Sequence, residues 1–128
     1  MKKIILIGLL TFGIIACNQK KSPEEVTNYT PVELKKGDKV EFIKFSAVWC
    51  GPCQRLKPKV DKLKPNYPNI TFTDIDTDKQ PEMSKKYQVT GLPTIVIELN
   101  GKQSNRLVGA PSDKELKALL DRYKFPVE

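Results

Sequence analysis

Cys50 and Cys53 stand two residues apart in "SAVWCGPCQRLKP", residues 46–58, between a hydrophobic run and a basic stretch. Two cysteines at that spacing can share a metal ion, staple a loop or exchange electrons with another disulfide. A structural zinc ion takes four Cys or His ligands. This chain has 3 cysteines and no histidine, and its third cysteine, Cys17, lies far off near the N-terminus. No metal is therefore expected. Without an imidazole, a Ser–His–Asp triad or a Cys–His nucleophile is impossible as well. A passive Cys50–Cys53 staple would close so small a loop that it would constrain little of the unfolded chain. Thiol–disulfide exchange is the chemistry that suits these residue types best.

That chemistry needs a scaffold, and the flanking sequence supplies the signals for one. "VEFIKFSAV" (40–48) is a near-continuous apolar run, the pattern of a strand buried on both faces. "CQRLKPKVDKLKPNY" (53–67) carries Leu56, Val60 and Leu63 at helical spacing, with Pro58 expected to kink the helix. "ITFTDID" (70–76) reads as a second strand, and "QPEMSKKYQV" (80–89) as a short helix opened by Pro81. "TIVIEL" (94–99) and "KQSNRLVG" flank Asn100-Gly101, a type I′ turn signal that predicts a hairpin. The last helix is announced by a capping box, Ser112 with Glu115, and by Leu116, Leu119, Leu120 and Tyr123 along one face. Strand, helix, strand, helix, hairpin, helix predicts an α/β fold with a central mixed β-sheet flanked by helices.

The N-terminus carries a different message. "MKKIILIGLLTFGIIAC" opens with Lys2 and Lys3 and continues with an uncharged run of 12 residues, Ile4 to Ile15. That length is short for a bilayer span but suits the core of a signal peptide. "IIAC" (14–17) resembles the lipobox of bacterial lipoproteins, which implies lipidation at Cys17 after removal of residues 1–16. The expected organisation is a signal peptide over 1–16, a lipidated tether and divergent domain start over 17–36, and one domain over 37–128. Cleavage would reduce the side-chain charge from +7 to +5 and leave Cys50 and Cys53 as the two free thiols, in an extracytoplasmic space where disulfides persist. The sequons at Asn28 and Asn69 are read as chance matches in a bacterial protein.

The positive charge comes from 22 Lys and Arg against 15 Asp and Glu. The lysines are scattered and form no basic block, so they read as a solvated surface. No nucleic-acid partner is expected, and the chain is expected to be a monomer.

"WCGPC" (49–53) on a strand-to-helix turn resembles the active site of the thioredoxin family. Pro58, five residues after Cys53, matches that family's kink proline. "GLPT" (91–94) resembles its cis-proline loop, and "LVGAPSDKELKALL", with Gly109, resembles its last strand and helix. The resemblance implies a thioredoxin-like fold and a redox-active Cys50–Cys53 disulfide, with no other cofactor. It also implies a cis Pro93 that keeps metals off the pair. Cys50, at a helix N-terminus that stabilises a thiolate, would be the attacking nucleophile. Cys53, one turn on and more buried, would resolve the mixed disulfide. Gly51 and Pro52 would shape the turn, Trp49 would wall the sulfur, and a client chain would pair with the backbone at Leu92, before Pro93.

One position departs from the family. Six residues before the first cysteine, where a buried aspartate is usual, this sequence has Lys44. Glu41 is no substitute, because residues three apart on a strand face opposite sides, and Phe72 stands where the family often has a lysine. The usual acid–lysine pair is therefore expected to be missing. A charged Lys44 would stabilise thiolate and favour an oxidant. A buried, neutral Lys44 would instead take the Cys53 proton, and a third arrangement packs the stem while the ammonium reaches water. Gly-Pro between the cysteines resembles reducing members of the family. The expectation is a membrane-anchored protein-disulfide reductase acting on disulfide-bearing exported proteins and recharged by a membrane thiol reductase. An oxidase or isomerase on the same fold, or a non-catalytic adaptor, is the alternative.

Overall fold

Strand β1, Val40–Ser46, sits at the centre of the molecule because it is apolar on both faces. Val40 and Phe42 point to one side and Ile43 and Phe45 to the other, all buried. The computed structural model describes residues 32–125. The signal peptide, Cys17 and most of the tether expected over 17–36 lie outside the described residues, and among those described no strand precedes Val40.

After β1 come helix α1 (Gly51–Leu63), a short 3₁₀ turn (Lys64–Asn66) and strand β2 (Ile70–Asp76). Helix α2 (Pro81–Lys86), strands β3 (Thr94–Leu99) and β4 (Lys102–Val108), and helix α3 (Asp113–Asp121) complete the chain. The four strands form one sheet in the order β2-β1-β3-β4. β1 runs parallel to β2, with Lys44 opposite Asp74, and antiparallel to β3. β3 and β4 are antiparallel, with a bulge between Ile97 and Glu98. The sheet is thus mixed, as expected.

The helices cover both faces. Leu56 and Val60 of α1 and Leu116, Leu119 and Leu120 of α3 pack on the Val40–Phe42 side. Met83 of α2 and Tyr87 just beyond it cover Ile43, Phe45 and Val96 on the other side. Fully burying one such leucine or phenylalanine contributes about 1.5–3 kcal/mol, so this two-sided burial is what fixes β1 in place.

Boundaries differ from the sequence reading where backbone chemistry intervenes. β1 stops at Ser46 rather than 48 because a turn follows, closed by the Cys50 amide donating to the Ala47 carbonyl at 3.1 Å. α1 starts at Gly51 and its regular α-helical part ends at Leu63. Pro65 has no N–H to continue the ladder, so the chain tightens into the 3₁₀ turn. α1 runs continuously through Pro58, which is exposed on its outer side. α2 is shorter than residues 80–89, and Gln88 beyond it takes φ 52°. The hairpin turn has φ 54° at Asn100 and 79° at Gly101, the two left-handed positions of a type I′ turn. Ser112 and Glu115 exchange both bonds of the capping box.

The two ends of the sheet differ. At the start of β1, the Lys39 amide donates to Asn100 Oδ1 (2.9 Å), and the Val32 amide donates to the Arg122 carbonyl (3.1 Å) just past α3. Asn69, one of the two sequon asparagines, also lies near this end and gives its side-chain N–H to the Tyr123 carbonyl at 2.7 Å. The opposite end, beyond Ser46, carries both described cysteines.

Candidate active site

The turn after β1 delivers Cys50 to the N-cap of α1, with φ −85° and ψ 104°. Its Sγ accepts the Cys53 amide at 3.3 Å, and its carbonyl accepts the Gln54 amide at 3.1 Å. A sulfur in this position faces the free N–H groups and positive end of the helix, which favour negative charge. Cys50 and Cys53 are joined as a disulfide with their Cα atoms 5.2 Å apart. Cys53 is 2% exposed and Cys50 5%, so neither sulfur-bearing residue is open to solvent on more than a narrow edge.

Around the pair, Trp49 is 70% exposed and its indole N–H donates to Asp78 Oδ2 at 2.8 Å. Gly51 and Pro52 form the exposed first turn of α1. Leu92 packs against Ala47, Cys50 and Cys53, and the Leu92–Pro93 bond is cis, as the resemblance implied. Two bonds hold this loop: the Thr94 hydroxyl donates to the Gly91 carbonyl (2.6 Å), and the Gly109 amide donates to the Pro93 carbonyl (2.8 Å). Arg106 reaches across from β4 to the carbonyls of Tyr87 and Gln88, tying the preceding segment to the sheet. Trp49, Cys50, Pro52, Thr77, Val89 and Leu92 line an open groove of about 470 Å³. Val48 and Val108 stand exposed on this end of the sheet.

Beneath α1, the structure corrects one expectation. Lys44 is 3% exposed, on the same sheet face as Val40 and Phe42. Its Nζ lies 2.8 Å from Oδ1 of Asp74, whose side chain is half exposed. An acid–lysine pair is therefore present, with the lysine on β1 and the acid on β2. The ammonium ends on a carboxylate rather than in open water. Because α1 runs back along β1, its Cys53 end overlies the Lys44–Ser46 end of the strand. Phe72 lies opposite Phe42, with ring centroids 5.1 Å apart, one pleat further from the site. Glu41 is on the other face and accepts the Thr73 hydroxyl at 2.8 Å.

The structure thus brings Trp49, Cys50, Gly51, Pro52, Cys53, Leu92 and Pro93 together at one end of the sheet, with Lys44 below. Sequence reasoning missed Asp74 and Asp78. The acid in a β-rich run, "TDID", was visible, but assigning it to Lys44 needed the parallel register that only the folded sheet supplies.

Comparison with known proteins agrees with this geometry. The thioredoxin family profile matches residues 22–122. Thioredoxin H2 of Arabidopsis thaliana is 34% identical over 82 residues, covering 64% of this chain and 62% of that protein, less than two-thirds of its length. Mitochondrial thioredoxin-3 of Saccharomyces cerevisiae is 36% identical over 88 residues, covering 67% and 68%. Among solved structures, Fasciola hepatica thioredoxin superposes with a TM-score of 0.63 at 36% identity, covering 67% of this chain and 82% of that one. A mixed sheet with helices on both faces and a disulfide at a helix N-cap define a thioredoxin-type thiol–disulfide oxidoreductase. The chain belongs to the thioredoxin family.

Proposed function

We propose that this protein is an extracytoplasmic, membrane-anchored protein-disulfide reductase. The observation that carries the reading is the Cys50–Cys53 pair at the α1 N-cap, opening on a groove bounded by Trp49 and Leu92. In the forward reaction, the Cys50 thiolate attacks one sulfur of a client disulfide, and the client's other sulfur leaves as a thiolate. Cys53 then loses its proton and attacks Cys50 Sγ, which breaks the mixed disulfide and frees the second client thiolate. Two electrons pass from the dithiol to the client, and the two client sulfurs end protonated.

The backbone at Leu92 would pair with the client chain beside the reacting sulfurs. Disulfide-bearing exported proteins are the clients in this reading. A membrane thiol reductase recharges Cys50–Cys53 by the same exchange in reverse, and the lipid on Cys17 holds the chain at a bacterial membrane. The redox-active disulfide is its own cofactor.

One observation favours a second reading. Lys44 is buried while its partner Asp74 is half exposed and so better screened by water, and a net positive charge left inside the sheet would favour thiolate and hence the reduced pair, the property of an oxidant. The reduction potential decides between them. Equilibrating the full chain in dithiothreitol or glutathione buffers, with Trp49 fluorescence as readout, is expected to give a value near about −270 mV. A value near about −120 mV would overturn the reductase in favour of an oxidase. Cys50→Ala is expected to abolish both insulin reduction and function in cells; a variant that keeps full function in cells would leave only an adaptor.

A further inference from the structure

Ser84 lines the groove and is the one residue among those described whose buried side-chain oxygen lacks a partner. A serine inside a helix ordinarily returns its hydroxyl to the carbonyl one turn back. Here that carbonyl, on Gln80, already takes the Met83 and Ser84 amides at 3.1 and 3.4 Å. The Ser84 carbonyl is taken too, by the Val89 amide at 2.9 Å. Two other hydroxyls beside the site are committed inward: Thr77 to the Ser46 carbonyl at 3.3 Å and Thr94 to the Gly91 carbonyl at 2.6 Å. Thr90 also lines the groove but is exposed to water, so among the hydroxyls along it only that of Ser84 is both buried and without a partner.

A buried hydroxyl without a partner costs stability. The residue lines the groove while its oxygen is buried, so reaching a ligand there calls for a change of the Ser84 rotamer. Trp49, Cys50 and Leu92 line the same groove.

We infer that Ser84 is a client-binding residue, whose hydroxyl donates to a main-chain carbonyl of a polypeptide disulfide seated in the groove. The inference rests on the reductase reading and narrows it: the substrate class is an extended polypeptide, because a small disulfide presents no such carbonyl to α2. A client supplies what the free protein withholds, so the hydroxyl lowers the stability of the free chain and raises affinity for the client.

The test uses the full chain and its Ser84→Ala and Ser84→Thr variants, with dithiothreitol as reductant, insulin as polypeptide disulfide and hydroxyethyl disulfide as small one. Ser84→Ala is expected to raise KM for insulin about fivefold while kcat stays within about twofold, the loss that one neutral hydrogen bond implies. Reaction with hydroxyethyl disulfide should fall far less, Ser84→Thr should restore the insulin KM, and the Tm of Ser84→Ala should equal or exceed wild type. An unchanged insulin KM, an equal loss on both disulfides or a Thr variant as poor as Ala would overturn the inference. So would a lowered Tm, which would reveal an internal partner for the hydroxyl. Wild-type protein that turns over hydroxyethyl disulfide but not insulin would sink the reductase reading itself, and this inference with it.

Discussion

Lys44 shows how much a single side chain at this site depends on its partner. Its ammonium is buried and Asp74 is half exposed, so the two members of the pair are not equivalent. Asp74→Asn leaves a buried cation without its counter-ion and is expected to cost about 1–3 kcal/mol in urea unfolding. Lys44→Met leaves a carboxylate that water can reach, and should cost less. The same Lys44→Met variant removes a buried positive charge from the sheet face on which α1 packs and is expected to lower the reduction potential by about 30 mV. An unchanged potential would show that Lys44 serves packing alone. At this scale the sequence was half legible. Trp49, Cys50, Cys53 and Pro93 carry recognisable spacing, and all fall at one site. Asp74, Asp78 and Ser84 carry none, because their roles arise from register and loop packing between segments distant in sequence. Lys44 stands out in the sequence as a departure, but the acid weighed for it there, Glu41, lies on the other face, whereas its partner Asp74 sits across the strand.

Among the elements, the strands were the most legible: β2 and β3 occupy the spans that β-branched and apolar alternation marked out, and the Asn100-Gly101 turn joins β3 to β4. Helix ends were harder, since Pro65 and the left-handed Gln88 act through the backbone rather than through hydrophobic period. Helix α2 depends on the residue that follows it. The Tyr87 ring packs on Phe45, with centroids 5.3 Å apart. Burial, and then the hydrogen bond and charge of Glu98 with Glu41 beyond, push the Tyr87 hydroxyl up to about 12. The folded value lies above the ordinary one near 10, so the neutral phenol stabilises the fold fully below about pH 10, and that stability drains away as pH rises through about 12. Tyr87→Phe, which cannot ionise, should therefore gain on wild type between about pH 9 and pH 11.5 in urea melts. A difference that stays constant with pH would disprove the linkage.

For the molecule as a whole, the question is where it works. The proposal of a lipid on Cys17 predicts that wild-type protein sediments with membranes and that Cys17→Ala moves it to the soluble fraction with its disulfide chemistry intact. Equal distribution of the two would remove the anchor. The polarity of the sheet gives this arrangement a consequence. The chain comes in at the Val32–Arg122 end, and the dithiol sits past Ser46 at the other. Seven residues of β1 separate these ends, roughly 23 Å of extended strand. The field of a charged surface fades over about 8 Å at physiological ionic strength. A headgroup layer holding the near end would thus be electrically silent at the sulfurs, and lipid composition could change where the protein sits without retuning how readily it gives up electrons.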